Sequence, residues 1–257
     1  MDKLHIVKAG GNLLEDSSIR KEFLQHFAQL EGSKILVHGG GKSATALAEK
    51  LGLSVQMVEG RRITDAAMLE VAVMTYAGAL NKNLVAELQA LGCNALGLSG
   101  ADGNAVQAVK RPVKNIDYGY VGDVTQVNGS LFQNLCKNHT VPVFCALTHD
   151  GQGQLLNTNA DTMAAVIAQR LSESFAVRLT YCFEKPGVLL DVDDIHSLIP
   201  QLTRSRFEEL KASGQIVAGM LPKLTNCFTA LEGGVAQVRI GEIALLRESI
   251  PHTQIVL

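Results

Sequence analysis

The sequence has no excess of basic residues: 23 Lys and Arg stand against 25 Asp and Glu, a formal net charge of -2. A nucleic-acid binder usually needs a basic face that neutralises several phosphates, so this balance argues against nucleic acid as the main partner. Small anionic ligands stay open, because their sites are local and do not show in a net charge. Cysteine pairs are also absent. Cys93, Cys136, Cys145, Cys182 and Cys227 are scattered with no Cys-x-x-Cys among them, which reads as buried thiols in a reducing compartment. The seven histidines show no metal-ligand spacing, which argues against a zinc ion held by the protein. No uncharged apolar stretch is long enough to span a bilayer, and Asp2, Lys3 and His5 interrupt any signal-peptide core. A cytoplasmic protein without a membrane partner is expected. Nor does any Ser/Pro linker, low-complexity tract or repeat divide the chain.

What is present reads as a globular α/β protein. Hydrophobic residues make up 47% and charged residues 19% of 257, enough to bury a sizeable core in one large domain or two closely packed lobes. Short apolar runs alternate with segments of helical period, the pattern of a mainly parallel open sheet covered by helices. Strands are expected at Leu4–Val7, Lys34–Val37, Ala95–Leu98, Val141–Ala146 and Val177–Cys182. Helices are expected at Ile19–Leu30, Ser43–Leu51 and Asp161–Leu171. Ala66–Leu91 reads as one long helix, or as two with a break near Gly78. Lys110–Asn128 has a β-like pattern with two tyrosines and several cations, and reads as a surface hairpin.

Two glycine clusters, Gly10-Gly11 and Gly39-Gly40-Gly41, fall just after the first two strands. At such strand ends the backbone can approach a ligand closely and its N–H groups can cradle an anion. Gly39-Gly40-Gly41-Lys42-Ser43 imitates a phosphate-binding P-loop, but Leu36 stands where that motif needs its first glycine. The same segment satisfies G-x-G-x-x-A through Gly39, Gly41 and Ala44, with Glu59 near the place of a ribose-binding acid. A dinucleotide-binding Rossmann unit is therefore an alternative, although it gives no role to Lys8. A lysine closing an apolar strand before Gly-Gly sets a compact cation beside backbone donors, which suits phosphoryl transfer. Taken singly, Lys8 reads equally well as a solvated strand end, Asp161 as a helix N-terminal acid and Arg62 as a surface charge.

In order along nearly the whole chain come Val7-Lys8-Ala9-Gly10-Gly11, Val37-His38-Gly39-Gly40-Gly41 and Gly60-Arg61-Arg62-Ile63-Thr64-Asp65. They are followed by Asn81-Lys82, Gly97-Leu98-Ser99-Gly100-Ala101-Asp102-Gly103, Gly119-Tyr120-Val121-Gly122, Asn157-Thr158-Asn159-Ala160-Asp161 and Gly219-Met220-Leu221-Pro222-Lys223. This ordered set resembles the amino-acid kinase family, and the Arg62 and Asn157 segments resemble its acylglutamate branch. The resemblance implies a three-layer αβα sandwich of the carbamate-kinase-like type. It implies two lobes, about 1–171 for the acyl amino acid and about 172–257 for the nucleotide. It implies transfer of the ATP γ-phosphoryl group to the γ-carboxylate of an N-acyl-L-glutamate, N-acetyl by default, in arginine biosynthesis. By the same resemblance Lys8 contacts the phosphoryl group in flight, Lys223 stabilises the departing ADP, and Asp161 ties the two lysines together. Gly10, Gly11, Gly40 and Gly41 donate backbone N–H groups to phosphate and carboxylate oxygens, while Arg62 and Asn157, with Gly40 and Gly41, grip the substrate. Thr180, Phe183 and Gly187, with Lys223, belong to the nucleotide site. Magnesium arrives on ATP, with no metal ligand from protein side chains.

The family's nucleotide loop usually carries an aspartate that is missing from Thr180-Tyr181-Cys182-Phe183-Glu184-Lys185-Pro186-Gly187. N-succinyl-L-glutamate stays open as the substrate, with Arg111 or Lys114 to meet an extra carboxylate. A non-catalytic amino-acid sensor on the same fold is a third class, against which the retention of Lys8, Asp161 and Lys223 argues. Arginine-inhibited members carry a helix before the first strand that links dimers into hexamers. Here the first strand begins near residue 4, so a homodimer insensitive to arginine is expected. A hexamer in sedimentation, or inhibition by arginine, would contradict it.

Overall fold

The computed structural model describes residues 1–58, 61–216, 219–247 and 250–257. Glu59 and Gly60, both singled out in the sequence, lie outside the described residues. The main sheet has eight strands, in the order β12 (Gln201–Thr203), β14 (Thr253–Val256), β13 (Gln237–Gly241), β11 (Ala176–Cys182), β1 (Lys3–Ala9), β2 (Ser33–His38), β8 (Val141–Cys145) and β5 (Ala95–Leu98). All neighbours are parallel except β13 with β14. Residues before 172 thus supply β1, β2, β5 and β8, later residues supply the other four, and β1 pairs directly with β11 across that division.

Parallel strands buried on both faces read as unbroken apolar runs, and β1 alternates strictly between two cores. Leu4 and Ile6 face α6 (Gly129–Lys137), α7 (Ala160–Ser172) and α9 (Met220–Glu232), with Phe132, Ile167 and Phe228 in the same cluster. The helix α8 (Arg204–Ala212) adds Phe207 to that side. Val7 and Ala9 face α1 (Gly11–Glu15), α2 (Ser17–Ala28) and α5 (Asn81–Ala90), through Leu13, Phe23, Phe27 and Leu84. A period of two therefore sends Lys8 to the α7 and α9 side with Leu4 and Ile6. That parity decides where the chemistry can occur.

The long segment expected over Ala66–Leu91 is one continuous helical rod. It consists of α4 (Ala66–Ala72), a π-helical stretch at Val73–Leu80 and α5. Gly78 falls inside the π stretch rather than at a break. The rod packs with α3 (Gly41–Lys50) in a third cluster that contains Ala44, Met68 and Tyr76.

Just beyond β8, at Ala146, the chain passes from the main sheet into a second one. Its order is β10 (Leu155–Asn157), β9 (Leu147–His149), β6 (Val106–Lys110) and β7 (Gly122–Val127). The strands β6 and β7 are antiparallel; a hairpin forms as expected, but its first strand, Val106–Lys110, begins before the expected range Lys110–Asn128. A separate two-stranded ribbon is formed by β3 (Met57–Val58) and β4 (Arg61–Arg62), ahead of the rod in sequence. The hairpin tip is fastened to Thr64, whose N–H donates to the Tyr118 carbonyl at 2.9 Å and whose carbonyl accepts from Tyr120 N–H at 2.7 Å. Between them Gly119 has φ +70°, and a Cβ there would lie 2.2 Å from the Thr64 carbonyl oxygen. All five cysteines are buried and unbonded. Among the described residues no helix is long and apolar enough to cross a membrane. Gly119→Ala combines a left-handed backbone with a backbone clash and should cost about 2 kcal/mol or more, measured as a lowered thermal midpoint; an unchanged midpoint would refute the fastening.

Candidate active site

The C-terminal edge of β1, β2 and β11 is where helix N-termini gather. The first residues of α1 and α3, Gly11 and Gly41, have N–H groups with no acceptor inside their own helices. The first turns of α7 and α9 bring Asp161 and Lys223 to the same edge. Asn159 caps α7, its Oδ1 accepting from the N–H groups of Asp161 and Thr162 at 2.9 and 3.0 Å. This sets the pitch of the turn that carries Asp161.

Lys8, Asp161 and Lys223 meet although α7 and α9 lie far apart in sequence. Lys8 Nζ is 2.8 Å from Asp161 Oδ1, and Lys223 Nζ is 3.1 Å from Oδ2. Each ammonium takes its own carboxylate oxygen. Tyr181, the register partner of Lys8 on β11, donates its hydroxyl to the Asp161 backbone carbonyl at 3.1 Å. Lys223 Nζ also stands 5.4 Å from the Tyr181 ring centre and 5.9 Å from that of Phe183, within cation–π reach. Burial alone would raise the Asp161 carboxyl, but the two lysines outweigh it and hold the group well below the usual carboxylate range. Lys8 is pulled the other way. Burial lowers its ammonium pKa, the Asp161 charge opposes that, and Lys223 adds to the lowering.

Three compartments adjoin one another at this edge through shared lining residues. A small chamber of about 160 Å³ is lined by Gly40, Arg62, Tyr76, Val121, Ala146 and Asn157, among others. It shares Gly39, Gly40, Gly41 and Arg62 with an open cleft of about 770 Å³ that contains Lys8, Gly10 and Gly11. Phe183 then joins the cleft to an apolar crevice formed by Val188, Leu190, Ile199, Ile216 and Met220 with Gly187. A Cβ at Gly11 would meet nothing within 4 Å, so the backbone there opens directly onto the cleft.

Residues 3–242 match the Amino acid kinase family. The chain belongs to that family. Over 248 residues it is 52% identical to the acetylglutamate kinase of Bacteroides thetaiotaomicron, covering 96% of each chain. Over 257 residues it is 49% identical to the acetylglutamate kinase of Cytophaga hutchinsonii, covering 100% of this chain and 97% of the relative. Among solved structures, the N-acetylglutamate synthase of Neisseria gonorrhoeae complexed with coenzyme A and N-acetyl-glutamate matches with a TM-score of 0.82 at 22% identity. It covers 100% of this chain and 59% of that one, and the likeness speaks to the fold alone.

Within this family member Arg62 and Asn157 both border the small chamber. Arg62 Nη2 donates to the Gly41 carbonyl at 2.8 Å and to Thr45 Oγ1 at 2.7 Å, which fixes the guanidinium against α3. Asn157 Nδ2 donates to Thr64 Oγ1 at 3.0 Å, so its amide is oriented by the turn that also fastens the hairpin. Two expectations need correction. The Gly10 N–H already donates to the Cys182 carbonyl at 3.0 Å, because the β1–β11 ladder extends one residue past the strand. Gly10 therefore shapes the turn, its N–H being already paired. Thr180 is 1% exposed and accepts from Arg239 Nη2 at 3.3 Å. Pairing with Val7 puts it on the α2 side of the sheet, away from the crevice.

Tyr76, Thr45 and Asn159 are site-forming residues that the sequence did not single out for a role. Only Asn159 carries a local signal, an Asn just before a helical period. Among the described residues no group of three or more His, Cys, Asp or Glu could hold a metal ion.

The depressed Asp161 carboxyl fixes a pH dependence for the kinase. The unfolded chain binds the proton near the ordinary value of 3.8, the folded chain only below it. The stabilisation is complete above that value and is lost as pH falls through it toward the folded pKa. Asp161→Asn should remove this acid-side loss. It should also cost about 3 kcal/mol at neutral pH, because the buried Lys8 and the largely covered Lys223 lose their counter-charge. Thermal midpoints recorded across pH check both parts.

Proposed function

We propose that this kinase transfers the γ-phosphoryl group of ATP to the γ-carboxylate of N-acetyl-L-glutamate, a step of arginine biosynthesis. The observation that carries the reading is the pair of lysines on opposite oxygens of Asp161. Lys8 lines the cleft that adjoins the chamber of Arg62 and Asn157 on one side and an apolar crevice on the other, and Asp161 ties Lys223 to it. A γ-carboxylate is already ionised near neutral pH and needs no general base. Its oxygen attacks the γ-phosphorus, the bond to the bridging oxygen breaks, and ADP departs with the electron pair.

The obstacle is repulsion between an anionic nucleophile and a polyanionic donor. Lys8, closing β1 beside Gly11, meets the transferring group, and the free N–H groups of Gly11, Gly40 and Gly41 orient its oxygens. Lys223, backed by the rings of Tyr181 and Phe183, meets charge developing on the ADP side. Such preorganised donors act where charge appears and need little rearrangement. Asp161 takes no chemical step. It keeps both ammonium groups in register and offsets their mutual repulsion. Magnesium supplied on the nucleotide would neutralise further phosphate charge.

At the other end Arg62 pairs with the α-carboxylate, and Asn157 Oδ1 accepts from the amide N–H of the acyl group. The relatives at about half identity are acetylglutamate kinases, which favours acetyl over the longer succinyl chain. The acyl group also removes the free amine that would close the product into a five-membered lactam. The crevice from Phe183 to Met220 takes the adenine, its apolar walls offering area rather than hydrogen bonds. The same reading makes the working form a cytoplasmic homodimer using Mg-ATP, with about 1–171 serving the acyl amino acid and about 172–257 the nucleotide.

The test is hydroxylamine trapping of acyl phosphate from Mg-ATP and N-acetyl-L-glutamate, with N-succinyl-L-glutamate as competitor. Wild type should form hydroxamate, with the acetyl compound preferred. Lys8→Ala and Lys223→Ala should each lose on the order of a hundredfold or more in kcat. No hydroxamate from wild type, or full activity in either variant, overturns the reading.

A further inference from the structure

The loop Gly39-Gly40-Gly41 is braced by the long helical rod at two points. His38, the last residue of β2, is 0% exposed. Its Nδ1 lies 2.8 Å from the Gly39 carbonyl oxygen, and its Nε2 lies 3.0 Å from Asn81 Nδ2. A carbonyl can only accept and an amide NH₂ can only donate. The imidazole is therefore neutral, with its hydrogen on Nδ1 and its lone pair turned to Asn81. The same Asn81 Nδ2 donates to the Val143 carbonyl at 2.9 Å, so both of its hydrogens are used and the amide is locked to β8. Burial lowers His38 to about 4, in keeping with a neutral ring.

The second brace is Tyr76. A Cβ on Gly40 would lie 2.5 and 2.9 Å from two ring carbons of Tyr76 and 3.4 Å from Leu80. The loop thus rests on the rod with no space for a side chain. Tyr76 and Asn81 are five residues apart, which in an α-helix separates two side chains by about 140° around the axis. The i→i+5 ladder of a π-helix instead returns residues five apart to nearly the same face. Val73–Leu80 is wound in that way, and consequently Tyr76 meets the loop while Asn81 meets His38 just before it.

We propose that Asn81, acting through His38, is a positioning residue that sets the Gly39–Gly41 backbone against the reacting carboxylate, with the π stretch aligning Asn81 and Tyr76 for that purpose. This rests on the kinase reading above. A buried amide serving stability alone would show its loss in the thermal midpoint and leave turnover of the folded enzyme unchanged. Displaced loop donors would weaken what is made in the transition state, so the loss falls on kcat more than on KM for the nucleotide.

Wild type, Asn81→Ala, His38→Ala and His38→Gln are compared in the hydroxamate assay, with thermal midpoints recorded for each. Nitrogen-15 NMR of ligand-free wild type at neutral pH reads the His38 tautomer. Asn81→Ala should lose about tenfold or more in kcat, with KM for Mg-ATP within about twofold. His38→Gln, whose Oε1 can still accept from Asn81, should keep more turnover than His38→Ala. The NMR should show a neutral Nδ1–H ring. An Nε2–H or doubly protonated ring would overturn the relay, as would a folded Asn81→Ala enzyme with kcat within about twofold of wild type. If Asn81→Ala does not fold, equal turnover in His38→Gln and His38→Ala would overturn it. A wild type that forms no hydroxamate would sink the kinase reading, while the tautomer result would still judge the hydrogen-bond geometry.

Discussion

Two ammonium groups can share the mouth of this sheet only because one carboxylate stands between them. Asp161 gives one oxygen to Lys8 and the other to Lys223, and nearly every other feature of the edge keeps that arrangement in place. Asn159 sets the turn that carries the carboxylate, and Tyr181 holds the backbone of that residue from below. Left without Asp161, two partly desolvated cations would repel each other. The carboxylate therefore sets the spacing of the two cations at this edge.

A second constraint is the alternation of β1. Its even residues face α7 and α9, its odd residues face α1, α2 and α5. A slip of one residue would exchange the two sets and bury Lys8 among Phe23, Phe27 and Leu84, with Asp161 on the opposite face. The apolar pattern of one seven-residue strand thus fixes the fold and aims the lysine. Parallel pairing with β11 extends the effect, since it brings Tyr181 alongside Lys8 and carries the chain on to Phe183.

Much of this was legible in the sequence, and what was not has physical reasons. The central strands β1, β2, β5, β8 and β11 appeared as apolar runs at nearly the residues where they form. The glycines at their ends appeared as approach points. The resemblance supplied what periodicity lacks, the meeting of Asp161 with Lys223, which depends on how α7 and α9 pack. Short strands such as β9, β10, β12 and β14 are too brief to show a period of two in the sequence. Thr180 lies in a strand that the apolar run shows, but which face of the sheet it takes depends on its register with Val7, and no local pattern encodes that. Gly10 was over-read because a glycine's freedom does not reveal whether its N–H is already paired. Arg62 was visible as a cation, but its orientation depends on Thr45 and the Gly41 carbonyl, contacts that no local spacing encodes.

The π stretch has a consequence for how this chain can vary. An exchange of one side chain within Val73–Leu80 leaves the winding of the rod intact. An insertion or deletion there would restore or further unwind the ladder and rotate everything beyond it by about 100° per residue. Asn81 and Tyr76 would then no longer present to a common partner, even with both residues still spelled in the gene. The number of residues in this segment is therefore itself functional information, separate from their identities. Apart from Tyr76 and Leu80, which touch the loop, homologous proteins could differ in the letters of this stretch yet be bound to its length.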